Sequence, residues 1–202
     1  MPDFLPDYQL HLSQDRRFRK IITGPLTDRV KRKNFALRLI QAIINQQLSN
    51  KVADVIYGRF LAIYNGKEPT VAQVAATPAM VLRSIGLSNA KVSYVHNVAN
   101  FVITEKLTDG KLQKMDDEAV IACLTRIKGV GRWTVEMLMM FHLHRDDVFA
   151  MDDLIIQQMV AKLYKLDISN RKDFREKMKK ISDKWSPYRT HACRYLWQWK
   201  DQ

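Results

Sequence analysis

Residues 124–141 read LTRIKGVGRWTVEMLMMF, and this stretch decides the fold. LTRI closes one helical run, KGVGR turns, and WTVEMLMMF opens another. Two of the chain's seven glycines stand one residue apart in that turn. Glycine admits positive φ and lets another backbone or a phosphate come close. Successive amides in such a turn, followed by a helix N-terminus, form an anion-binding nest. Lys128 and Arg132 flank it with positive charge. On these residues alone two readings stand: a phosphate clamp for a nucleic-acid backbone, or a tight helical hairpin whose glycines serve geometry only.

The helical period continues on both sides of the hairpin. Phe35, Leu39 and Ile43 recur at a spacing of four, and Val52, Val55, Ile56 and Ile63 keep one face behind Ser49 as N-cap. Thr70 opens a short helix, and Thr77 before Pro78 reads as an N-cap with proline at the first helical position. Gly86 closes that helix and Ser88 caps the next, whose Val92, Val95 and Val102 share a face. Further helices are expected over about 116–127, 132–143, 152–165 and 171–184, with Pro187 interrupting before an aromatic-rich last helix. No segment sustains period-two alternation, so the expectation is an all-α fold of roughly ten helices joined by short loops. The charged entry TDRVKRKN and the loop HLHRDDVFA bracket a helical block, residues 34–145. Residues 1–33 and 146–202 are then left to form a second lobe together.

Composition narrows the partners. Of 202 residues, 33 are lysine or arginine and 21 are acidic, a net charge of +12, which favours polyanions. No apolar run approaches the ~20 residues that span a bilayer, so no membrane partner is expected. The first residues, MPDFLPDYQLHLSQD, carry acids and prolines where a signal peptide has a basic start and an apolar core. Cys123 and Cys193 are too few for a disulfide framework or a four-cysteine metal or iron–sulfur site, and are expected as small buried residues.

The hairpin, followed downstream by the aspartates of DDVFAMDDLIIQQ, resembles the helix–hairpin–helix of the DNA base-excision glycosylases. LIQAIINQQLSNKVA and IGLSNAKVSYVHNVANF upstream and WSPYRTHACRYLWQW downstream match as well, in the expected order. The resemblance covers most of residues 35–199 and is closest to the alkylation-repair branch, the 3-methyladenine DNA glycosylases. It implies a two-lobed, all-helical fold without the extra sheet domain of some relatives, and without the iron–sulfur cluster of others. It also implies a substrate, double-stranded DNA with a damaged base, a monomeric enzyme, and a location with the DNA: the nucleoid of a bacterium or the nucleus of a eukaryote.

Residue by residue, the resemblance implies backbone phosphate donors at Gly129 and Gly131. It implies a monovalent cation (Na or K) on the carbonyls of Thr125, Ile127 and Val130, with no cofactor required. The catalytic aspartate matches Asp153, where a carboxylate would stabilise the developing oxocarbenium ion and orient the attacking water. Adjacent helical residues point about 100° apart, so Asp152 is expected as the cap or first-turn acid of the following helix. Relatives that also nick the strand carry a lysine two residues after the second glycine. Trp133 stands there, so no Schiff base can form and a monofunctional enzyme is implied.

Trp133 and Trp197 match aromatic positions of the base pocket, where a cationic alkylpurine would stack. Met137 replaces a pocket tyrosine of relatives. Trp185 and Trp199 are assigned to the core. Gln46 and Gln47 match the stretch that fills the hole left by a flipped base, Gln47 at the wedge position, where relatives often carry an apolar residue. Ser88, Asn89 and Lys91 are candidates for backbone phosphates or, nearly as readily, for a capped surface loop. The alternatives are a glycosylase for another lesion such as uracil or hypoxanthine, a non-catalytic module that uses the hairpin only to clamp DNA, and an RNA-binding protein inferred from charge alone.

Overall fold

The apolar residues recur at helical spacing, and they bury themselves by packing helix on helix. The computed structural model describes residues 6–30 and 33–200, and among these it contains α-helices, two short 3-10 turns and no strand. The first five residues of the N-terminal reading and residues 31–32 of the charged entry lie outside the described residues. Two compact units are formed, residues 31–138 and residues 1–30 with 139–202. The division falls within a helix, earlier in the chain than the loop at 142–150 where composition placed it.

In the continuous unit, α1 belongs elsewhere and the chain begins with α2 (Phe35–Asn45), after α1 (Asp7–Leu12) of the other unit. α3 (Asn50–Ala62), α4 (Val71–Ala76), α5 (Ala79–Ser84) and α6 (Asn89–Thr104) follow. α7 (Asp109–Lys114), α8 (Asp117–Leu124) and most of α9 (Arg132–Phe141) complete it. α2 is apolar almost all round, and Leu37, Leu39, Ile40, Ile43 and Ile44 are wholly buried. Each such side chain contributes about 1.5–3 kcal/mol of gross burial energy. α6 packs against α2, α4 and α5 through Val92, Val95, Val98, Ala99 and Val102.

The expected punctuation needs one correction. Thr77 ends α4 rather than opening α5; its hydroxyl donates back to the Gln73 carbonyl at 2.8 Å, and Pro78 takes the N-cap of α5. Thr70 forms a full capping box with Gln73, and Gly86 closes α5 with φ +104°.

The other unit is discontinuous. Besides α1 and the end of α9 it contains α10 (Leu154–Tyr164), α11 (Arg171–Ser182) and α12 (Arg189–Lys200). Its core is aromatic: Trp185 is buried against Phe18 at 4.9 Å, Phe149 at 5.8 Å and Tyr164 at 6.2 Å between ring centroids. Trp199 does not join that core. It lies half-buried under the Lys162 ammonium, 4.6 Å from its ring, because α12 turns that face outward. Neither cysteine forms a disulfide; Cys193 is buried and Cys123 only partly so.

Candidate functional site

The hairpin joins α8 to α9. Asp116 caps α8 by accepting the Ala119 amide at 2.7 Å, and buried Ile127 and Val130 anchor the turn, whose Val130 N–H donates to the Ile127 carbonyl at 2.9 Å. The two glycines have different reasons. Gly129 has φ +104°, and a β-carbon there would lie 2.2 Å from Cγ of Tyr94, so only glycine fits. Gly131 has no positive φ, and a β-carbon built on it meets nothing within 4 Å. Its bare surface is exposed beside the first turn of α9, whose leading amides have no acceptor within the helix. Such a turn is a ready anion site.

α6 supports the turn from beneath: Tyr94 packs against Gly129, and Asn97 Nδ2 donates to the Lys128 carbonyl at 3.1 Å. Of the two flanking cations, Lys128 is exposed, whereas Arg132 is committed. The Arg132 guanidinium donates to Glu118 at 2.9 Å and to buried Glu136 at 3.0 Å. Its charge is balanced locally, whereas Lys128 carries its charge on the surface beside the turn. Trp133 is 44% exposed on α9, with half-buried Met137 one turn further along the same face.

The loop between α2 and α3 carries the glutamines. Gln47 is exposed and adopts φ +58°, while Gln46 turns its Nε2 to the Gly129 carbonyl at 3.5 Å. Lys91 is not a free cation. Its Nζ donates to the carbonyls of Ile44 and Gln46, both at 2.8 Å, and burial pushes its pKa down. Ser88 caps α6 by accepting the Lys91 amide, and Asn89 accepts from Arg83. For GLSNAK the capped-loop reading therefore describes the geometry.

Asp153 belongs to the other unit, and here the assignment of the two adjacent acids changes. Asp153, 8% exposed, is itself the N-cap of α10: its Oδ1 accepts the Ile156 amide at 2.9 Å. The same oxygen accepts the Trp197 indole N–H at 3.2 Å. Asp152 instead faces outward and pairs with Arg175. The capping residue of a helix has extended backbone, and Asp153 has ψ 121°, so the helix starts at Leu154, two residues later than expected. Phe141 packs on Trp197 with centroids 6.0 Å apart and stays 41% exposed, which puts a second aromatic ring near the carboxylate.

The loop that delivers Asp153 contains neither glycine nor proline; His144 takes φ +57° in their place. It is tied to the start of α12. Arg189 binds Asp147 through two nitrogens at 2.7 and 2.9 Å. Thr190 receives the Val148 amide at 3.1 Å and donates to the Arg145 carbonyl at 2.8 Å. Trp197 lies two helical turns along α12, so one helix fixes both the loop and the indole beside Asp153. Phe141, Tyr94, Asn97 and Thr190 escaped the sequence reading, since each acts through a partner far away in the chain.

The turn between α8 and α9 is thus a helical hairpin with an exposed glycine, and the other unit buries a carboxylate at the N-terminus of α10. Residues 40–186 match the family model described as HhH-GPD superfamily base excision DNA repair protein, and the chain belongs to that superfamily. It is 37% identical over 162 residues to DNA-3-methyladenine glycosylase 1 of Schizosaccharomyces pombe, covering 79% of this chain and 70% of that one. The solved structure of that organism's 3-methyladenine DNA glycosylase in complex with abasic DNA superposes with TM-score 0.83 at 33% identity, covering 96% of each chain. A DNA-3-methyladenine glycosidase of Bacillus halodurans gives TM-score 0.83 at 33% identity, over 96% of this chain and 88% of that one.

Proposed function

We propose that this protein hydrolyses the N-glycosidic bond of alkylated purines in double-stranded DNA, acting as a monomer and leaving an abasic site. The observation that carries the reading is Asp153, a buried carboxylate whose Oδ1 is fixed by the Ile156 amide and the Trp197 indole. Loss of the base leaves positive charge on the sugar, which a carboxylate held in place stabilises without reorganising. The same group orients the water that completes hydrolysis.

An N-alkylated purine such as 3-methyladenine is cationic in DNA and is already a good leaving group. The ring faces of Trp133 and Trp197 suit it, an attraction of roughly 0.5–2 kcal/mol. Trp133 offers no amine where strand-nicking relatives have their lysine, which supports hydrolysis without lyase chemistry. The hairpin amides and Lys128 would hold a phosphate, and exposed Gln47 would fill the place of the flipped base. The carbonyls of Thr125, Ile127 and Val130 are neutral oxygen donors, and that of Ile127 keeps a lone pair beyond its bond to the Val130 amide. They suit an alkali ion, which would add positive charge under the phosphate.

The test is base release from methylated duplex DNA, read by chromatography, with Asp153→Asn alongside. Asparagine caps a helix as well as aspartate does. The variant should therefore fold and bind DNA but release base at least about 100-fold more slowly. Undiminished release by the variant removes Asp153 from the mechanism. Strand breakage without alkali would contradict the monofunctional assignment.

A further inference from the structure

We infer that Lys91 is a positioning residue for base flipping: its ammonium, clasped by the Ile44 and Gln46 carbonyls, sets the loop that presents Gln47 to DNA. The inference rests on the wedge role proposed for Gln47 and adds the part of the molecule that controls it. The C-terminus of α2 leaves carbonyls without intrahelical partners, and a lysine there satisfies them while adding a favourable charge. Lys91 reaches both oxygens at 2.8 Å from α6, forty-five residues or more away in the chain.

The consequence of that clasp is local. Gln47, the residue after the second carbonyl, adopts φ +58°, a conformation that a non-glycine side chain takes only when its surroundings impose it. The loop is also tied at its other side, by Gln46 Nε2 to the Gly129 carbonyl at 3.5 Å. Tyr94 and Asn97, one and two turns beyond Lys91 on α6, hold the hairpin itself. One helix thus fixes the glutamine loop and the hairpin relative to each other within the same unit. A phosphate-binding lysine would instead carry its charge outward, as Lys128 does.

The experiment uses Lys91→Met, which keeps the stem and removes the charge, and Lys91→Arg, which restores donors. Insertion is read from the fluorescence of 2-aminopurine placed beside a stable abasic-site analogue in duplex DNA. Catalysis is read as single-turnover base release from methylated duplex. Lys91→Met is expected to lose at least half of the fluorescence change and to slow base release about tenfold, a loss of ~1.4 kcal/mol in transition-state stabilisation. Its affinity for undamaged duplex and the salt dependence of that affinity should stay at wild-type values, and Lys91→Arg should recover both losses.

A salt slope shallower by about one charge in Lys91→Met would show a phosphate contact and overturn the inference. Wild-type fluorescence in that variant would overturn it as well. Should Lys91→Met fail to fold, Gln47→Ala and Lys91→Arg decide: Gln47→Ala must lose the fluorescence change while Lys91→Arg keeps it, and the reverse refutes the assignment. A wild-type protein that releases no methylated base refutes the activity proposed above, and the fluorescence alone then decides on Lys91.

Discussion

Asp153 carries two duties on one oxygen atom, since the amide of Ile156 and the indole of Trp197 both donate to Oδ1. Removing the side chain therefore removes a helix cap along with the proposed chemistry. Asp153→Ala should cost about 1 kcal/mol of stability through the lost cap, seen as a lower unfolding midpoint, whereas Asp153→Asn should not. The two glycines of the hairpin separate in the same manner. Gly129→Ala places a β-carbon within 2.2 Å of Tyr94 at φ +104°, and should destabilise the fold by about 3 kcal/mol or more. Gly131→Ala should leave the unfolding midpoint near that of the wild type and weaken DNA binding, because the space it takes is needed by a phosphate; equal DNA affinity would remove that need. The sequence offers both glycines as equals, and only their surroundings tell them apart.

At the scale of elements, the hairpin and the downstream aspartate were legible because they are local patterns: a turn of fixed residues, then an acid before a helix. The supports of these elements were not legible. Lys91 looks like a surface cation beside Ser88, and its true partners are carbonyls of α2, which carry no side-chain signature. Arg132 looks like a phosphate ligand, yet Glu118 and Glu136 hold it. Asp152 and Asp153 exchange the expected capping role because helix starts are set by backbone dihedrals that sequence constrains only to within a residue or two.

The latch between Thr190 and the loop before Asp153 is expected to hold that carboxylate in place. Thr190→Val, which keeps the shape and removes the hydroxyl, should slow base release more than it weakens duplex binding, since the hairpin belongs to the other unit. Equal losses in the two measurements would count against a role for the latch in placing Asp153.

For the molecule as a whole, charge and pH set the conditions of action. With a net charge of +12, DNA affinity should fall steeply with salt, by a slope of roughly −0.9 per phosphate neutralised. Lys128→Gln should make that slope shallower by about one, while Arg132→Gln should barely change it and should lower stability by removing the ion pair made to buried Glu136. His191 governs the acid side. Burial, opposed by Asp146 and reinforced by Arg29 and Arg194, pushes its pKa from 6.5 down to about 4. The unfolded chain then binds the proton more readily than the folded one. Stability is full above about pH 6.5 and falls as the pH drops toward 4, by ~1–2 kcal/mol once solvent screening is allowed for. Thermal melts of His191→Gln against wild type between pH 7 and pH 4 should show the variant less sensitive to acid.

The open space around Gly131 has one more use. A cysteine there would stand exposed, while Cys193 is buried and Cys123 partly covered. A small dye or spin label coupled to that thiol would sit at the turn proposed to hold a DNA phosphate, and would turn the arrival of a strand there into a signal.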